Sequence, residues 1–116
     1  MKDKIAKGKT GEDFAADYLV KKGYQILHKN YRHERGEIDL IAQQGKTLVF
    51  VEVKLRTSTA FGFPEEFVNS KKTAKVMETA RHYLEEKNWH GAVRYDIIAI
   101  VKKAAMELRH FEDAFY

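Results

Sequence analysis

Residues 46–54 of this 116-residue chain read KTLVFVEVK, and this run constrains the fold more than any other. Side chains of a strand alternate between faces with period two. Val49, Val51 and Val53 therefore share one face, and Leu48 and Phe50 share the other. A strand that is apolar on both faces belongs in the middle of a sheet covered on both sides. Helices must supply those covers.

The first predicted helix spans 10–22. Thr10 with Asp13 three residues on reads as a capping box, and Gly23 supplies the stop. Its expected inner stripe is Ala15, Ala16, Leu19 and Val20, widened by Phe14 and Tyr18. Predicted strands follow at 24–31, 37–43 and 46–54, the last two joined by a tight turn at Gln44-Gly45. A second helix over 71–87, capped by Ser70, is expected to turn Ala74, Met77, Ala80 and Leu84 inward. Strands at 94–101 and 107–111 complete the order α-β-β-β-α-β-β. The helical crossover from 46–54 to 94–101 predicts a parallel pair. The expected fold is α/β, one domain over 1–116 with a central mixed sheet flanked by helices.

Composition supports a packed core, since 44% of residues are hydrophobic, including seven Phe, six Tyr and one Trp. Folding a chain of this size removes roughly two-thirds of its surface from water. The absence of cysteine excludes disulfides, thiolate zinc sites and cysteine nucleophiles. MKDKIAKGKTGED lacks the apolar core of a signal peptide. No apolar run approaches the roughly 18 residues of a membrane span. A cytoplasmic protein without a membrane partner is expected. The net charge is +4, from 21 basic and 17 acidic residues. That excess permits a nucleic-acid partner without requiring one.

Against this background the charges of GEIDLIAQQGKTLVFVEVKLR (36–56) are misplaced. Glu37 and Asp39 share a face, as do Glu52 and Lys54. With Gln44-Gly45 as the turn, Gln43 pairs with Lys46, Glu37 faces Glu52, and Asp39 lies diagonal to Glu52. Carboxylates crowded on one face of a central strand resist ionising unless a cation joins them. One lysine cannot offset Glu37, Asp39 and Glu52 together, whereas a divalent metal can. Oxygen ligands without Cys or clustered His favour Mg2+ or Mn2+. Glu12 falls on the buried stripe of the first helix by its spacing from Ala15, Ala16 and Leu19, so it is a candidate member of the group.

Other features carry less. GKT at 8–10 and 45–47 lacks the earlier glycine of a P-loop. The five histidines lack zinc-hydrolase spacing. Asp96, inside a buried strand, reads as a structural hydrogen-bonding group. Arg56, Lys71, Lys72 and Lys75 follow the acidic group in sequence, where they suit phosphate contacts. The Phe61-Gly62-Phe63-Pro64 segment suits base stacking or cover for the core.

An acid on one strand, E-x-K on the next and a Glu on the preceding helix resemble the PD-(D/E)XK nuclease superfamily, here at Asp39, Glu52-Val53-Lys54 and Glu12. Within it, G-x-x-G-E-D-x-A at 8–15, NYR at 30–32, GEIDLIA at 36–42, FVEVKLR at 50–56 and RYDIIAI at 94–100 are similar to the YraN-like family of bacterial proteins. The likeness runs to FEDAF at 111–115, although Ile38 stands where the superfamily name has proline.

The resemblance implies a restriction-endonuclease-like fold with an αβββαβ core. It also implies a metal-dependent endonuclease acting on DNA, branched or damaged DNA among the candidate substrates. Asp39, Glu52, the Val53 carbonyl and Glu12 are then the metal ligands, Asp39, Glu52 and Lys54 the catalytic group with Lys54 orienting the attacking water, and Glu37 a supporting residue outside the ligand set. The competing expectation is a module of the same fold that binds nucleic acid or protein without turnover. A small nuclease acting on symmetric DNA is expected to dimerise, and no residue in the sequence marks the interface.

Overall fold

The computed structural model describes residues 10–56, 70–101 and 106–114. Their elements are α1 (Gly11–Lys21), β1 (Gln25–His33), β2 (Gly36–Gln44), β3 (Thr47–Arg56), α2 (Ser70–Glu86), β4 (Ala92–Val101) and β5 (Glu107–Phe111). The strands form one sheet in the order β1-β2-β3-β4-β5. The β3–β4 pair is parallel and the other pairs are antiparallel. KTLVFVEVK thus supplies the middle strand, as its two apolar faces require.

Each face has its helix. On one side Ala15, Ala16 and Leu19 of α1 pack with Leu40, Val49, Val51, Ile98 and Ile100. On the other, Val76, Ala80 and Tyr83 of α2 pack with Ile38, Phe50 and Ile97. This is the αβββαβ core of the restriction-endonuclease-like fold. No helix among the described residues is long and apolar enough to cross a membrane.

The helix ends obey local chemistry. Thr10 and Asp13 form the predicted capping box, each side chain accepting from the other's backbone N–H at 3.1 Å. At the far end Gly23, at φ +95°, closes a Schellman turn in which Tyr24 N–H donates to Leu19 O at 2.9 Å. In α2, Asn88 (φ +52°) takes the glycine's part, and Trp89 N–H donates to Leu84 O.

Three expectations need correction. Val20 is 55% exposed, so the α1 stripe ends at Leu19. The inner face of α2 is Thr73, Val76, Thr79, Ala80 and Tyr83, whereas Met77 is 40% exposed and Ala74 faces solvent. Ala80 is buried and Leu84 packs against the same core as predicted, but two threonines occupy positions where the apolar pattern has no marker, so Ala74 and Met77 are misplaced. The close approach behind this choice is at Gly36, where a Cβ would overlap Thr79 Oγ1.

The third correction is the hairpin turn, which is Gly45-Lys46 rather than Gln44-Gly45, with Gln44 paired to Thr47. Gly45 at φ +58° takes the first central position, where a type II′ turn wants glycine. Moving the turn by one residue moves the cross-strand pairing by two, so the side chains of the paired segments 40–44 and 47–51 keep their predicted faces. Phe50 consequently lies opposite Ile41, and the pair runs out at Leu40–Val51.

Candidate active site

The point where β2 and β3 stop pairing is where the acids gather. Ile38 packs with the α2 cluster and Leu40 with the α1 cluster, although they are two residues apart. Strand alternation therefore breaks at Asp39. Its Oδ2 accepts a hydrogen bond from Val53 N–H at 2.7 Å, standing in for the strand neighbour that β3 has lost. In an antiparallel ladder a residue directs its N–H and C=O at the same neighbour. The Val53 carbonyl thus opens on the same gap.

Glu52 sits on the α2 face of β3 and is 6% exposed. Its Oε2 accepts from Lys54 Nζ at 3.1 Å and from Lys72 Nζ, which reaches down from the first turn of α2. Lys54 is 13% exposed along its side chain, Lys72 44%. Burial works to raise the Glu52 pKa, but the hydrogen bond from Lys72 and the charge of Lys54 outweigh it and hold the pKa below its usual value. Asp39 has no such help. Burial first, then the Glu52 charge, push it up to about 7 against the hydrogen bond from Val53. The Glu52 charge thus opposes ionisation of Asp39, while the two lysines favour ionisation of Glu52.

Glu12, half-buried in the first turn of α1, adds a smaller upward push on Asp39. A Cβ on its neighbour Gly11 would meet Val53 Cγ1 at 3.5 Å, which places this turn of α1 over the same part of β3. Among the described residues no three acid or histidine side chains gather into a metal cage. Glu12 therefore acts on the pair through its charge at longer range.

The remaining predicted residues scatter. Glu37 lies opposite Arg32 on β1, not opposite Glu52, and pairs with Arg32 Nε at 3.0 Å on the exposed side of the hairpin. Arg56 ends β3, where its Nη1 donates to Leu55 O at 3.2 Å. Lys75 lies 3.5 Å from Glu78 on the exposed face of α2. The Lys71 side chain and the Phe61-Gly62-Phe63-Pro64 segment lie outside the described residues. Sequence reasoning assigned Lys72 to phosphate and missed its contact with Glu52, which no local spacing encodes. Thr73, beside Lys72, was also missed. Its Oγ1 is the one buried side-chain polar atom among the described residues without a hydrogen-bond partner.

Asp96, fully buried, is a separate case. It accepts from Arg94 Nε and Nη2 at 2.9 Å each, from Asp113 N–H at 2.9 Å, and from His110 at 2.7 Å. This is the structural role expected of it. Its partner Arg94 was detectable, because residues 94 and 96 share a strand face.

The acidic pair fits a magnesium-like ion. Mg2+ takes one or two carboxylates and keeps several waters, and it needs no all-protein cage. Asp39 and Glu52 with the Val53 carbonyl offer that all-oxygen set. Two carboxyl side chains and a strand carbonyl beside one gap, where the β2–β3 pairing runs out, are the arrangement that supports the fit.

Comparison with known proteins places the chain. Residues 11–100 match the Uncharacterised protein family UPF0102. The chain is 44% identical over 110 residues to a UPF0102 protein of Christiangramia forsetii, spanning 94% of this chain and 92% of that one. It is 48% identical over 96 residues to one from Cytophaga hutchinsonii, spanning 83% and 85%. A third, from Persephonella marina, is 44% identical over 111 residues, spanning 95% and 96%. From Gly11 on α1 through the acidic pair to Ile100 on β4, the chain belongs to the UPF0102 family, the YraN-like proteins its motifs resemble.

Proposed function

We propose that this protein is a metal-dependent phosphodiesterase that cleaves within DNA, with Asp39, Glu52 and Lys54 as its catalytic group. One observation carries the reading: two neighbouring carboxyls at the splayed end of the central strands, one fixed by the Val53 N–H and the other 3.1 Å from a half-buried lysine. Asp39, Glu52 and the Val53 carbonyl would hold Mg2+ or Mn2+, and Glu12 would act through water. When bound, the ion supplies Lewis-acid polarisation of the phosphate and lowers the pKa of the attacking water.

The chain's own residues do the rest. The hydrogen bond from Val53 N–H fixes the Asp39 carboxylate, so its orientation is set before substrate arrives. Lys54, anchored on a central strand, orients the attacking water and donates to the charge that builds on the phosphate. Burial strengthens that donation, because a low dielectric screens it less. Arg56, Lys72 and Lys75 lie at the end of β3 and the start of α2, where they suit the flanking phosphates. Branched or damaged DNA is a candidate substrate because small members of the superfamily that this chain resembles act on such structures.

The test is cleavage of duplex, flapped, four-way and single-stranded DNA and RNA with Mg2+ or Mn2+. Cleavage that falls by about 10²–10³-fold or more in Asp39→Ala, Glu52→Ala and Lys54→Ala is expected. Cleavage that survives all three substitutions would sink the proposed site. Tight binding without cleavage across the panel would favour a binding module of the same fold.

A further inference from the structure

Lys72 occupies the carboxylate that the proposed metal needs. It and Lys54 converge on the same oxygen of Glu52. A divalent cation approaching Glu52 therefore meets two ammonium groups already seated on that oxygen, and like charges at contact distance repel. One lysine must leave.

The geometry decides which. Lys54 is 13% exposed along its side chain, on the central strand of the sheet. Lys72 is 44% exposed, comes from the first turn of α2, and swings on a four-carbon stem. The two also work against each other, since both ammonium groups sit on one oxygen and repel. Lys72 is the removable cation. Outside the pocket it still needs an anion, and a polyanionic backbone laid across the start of α2 provides one.

We propose that Lys72 is an internal competitor for the divalent metal, released from Glu52 when a nucleic-acid phosphate takes it over, so that metal and polyanion bind cooperatively. This deepens the phosphodiesterase reading and rests on it. Without nucleic acid, Lys72 holds Glu52 and keeps metal affinity low. With nucleic acid, Lys72 moves to phosphate and Glu52 is handed to the metal. By linkage, metal raises nucleic-acid affinity by the same factor. Substrate thereby gates loading of the metal.

The test is Mn2+ binding by calorimetry and by the Mn2+ paramagnetic resonance signal, with and without a phosphorothioate duplex that resists cleavage. In wild type, duplex should tighten Mn2+ binding about tenfold, within the usual 5–150-fold span of coupling between sites. Lys72→Met should bind Mn2+ about tenfold more tightly than wild type without duplex and should lose the duplex effect. Arg81→Gln, the same charge loss about 13 Å further along the helix axis, should leave Mn2+ affinity within about twofold of wild type, since screening is strong beyond the Debye length. A thermal melt of each variant checks folding. If wild type binds Mn2+ but Lys72→Met binds it no better, or keeps the duplex effect, the competition is overturned and the metal site stands. If wild type binds no Mn2+ in either condition, both readings fall.

Discussion

The parallel strands β3 and β4 each bury an acid, at neighbouring register positions and on opposite faces of the sheet. Val51 pairs with Asp96, and Glu52 with Ile97. Asp96 is surrounded by donors: both arms of Arg94, the His110 ring and the Asp113 N–H. Those hydrogen bonds outweigh burial and hold its pKa below the usual carboxylate range. Arg94 donates in turn to the Tyr24 hydroxyl at 2.6 Å. On the other face Glu52 takes two lysines onto one oxygen, and its neighbour Asp39 is left with one N–H donor and a pKa near 7. A buried charge that serves the fold is satisfied by the fold. One that awaits a ligand is left partly unsatisfied.

The largest way to break this comparison is to delete each acid. Asp96→Ala strips the half-buried Arg94 of its two-armed partner, leaving it Glu112 at 3.7 Å, and takes the acceptor from His110 Nε2; removing one partner of a buried pair costs about 3–5 kcal/mol. Asp39→Ala is expected to cost far less in metal-free protein. Urea unfolding of both variants reads the difference. Equal losses would mean that both acids are structural.

How much of this contrast the sequence reveals depends on the range of the interaction. The central position of β3 is legible because period-two alternation is local, and Val49, Val51 and Val53 against Leu48 and Phe50 allow no other place. The shared face of Asp39 and Glu52 is legible too, and it survives a misplaced turn because a two-residue shift preserves faces. The inner stripe of α2 is legible only in Ala80 and Leu84, because Thr73 and Thr79 are buried against the apolar rule. Thr79 is accommodated only because Gly36, far away in sequence, has no Cβ. Illegible as well is Lys72 on Glu52, a contact set by how α2 docks.

Metal sharpens the comparison next. At about 100 times its Kd, a ligand that binds only folded protein stabilises it by about 2.7 kcal/mol. Adding Mg2+ or Mn2+ to chelator-treated wild type should raise the melting temperature, and removing it should reverse the gain. Glu52→Gln should abolish the response. Any Asp96 variant that still folds should keep it. Loss of the response in an Asp96 variant alone would place the metal on the wrong face of the sheet.

The two acids should also tilt stability against pH in opposite senses. Asp39 is raised from an ordinary carboxyl value to about 7. Between about pH 4 and 7 the folded state therefore holds a proton that the unfolded chain has lost. Stability from this group is present below that window and falls as pH rises through it. Asp96 is lowered, so its contribution is present above the unfolded value and is lost as pH falls through the folded one. In chelator at pH 8, Asp39→Asn should gain roughly 1–3 kcal/mol over wild type, a figure reduced for its partial exposure. The gain should vanish near pH 4. A variant that loses stability at pH 8 would show that the Asp39 charge is already compensated.

The smallest effect probes redundancy. An ionised Asp96 can only accept, so His110 Nε2 carries the hydrogen toward it. In the neutral ring Nδ1 is then an acceptor for the Tyr18 hydroxyl at 3.2 Å, which itself accepts from Lys22 Nζ at 3.0 Å. Donation runs in one direction from Lys22 to Asp96, and each link has its own donor. Tyr18→Phe keeps the ring and its edge contact with His110 but removes that link, at about 0.5–1.5 kcal/mol. Glu52 is different, because Lys54 and Lys72 are duplicate donors to one oxygen. In metal-free protein Lys54→Met should therefore cost less stability than Tyr18→Phe, even though it deletes a buried full charge. Finding the reverse order in urea unfolding would show that the Lys54–Glu52 pair is a structural bond rather than a site held ready for other partners.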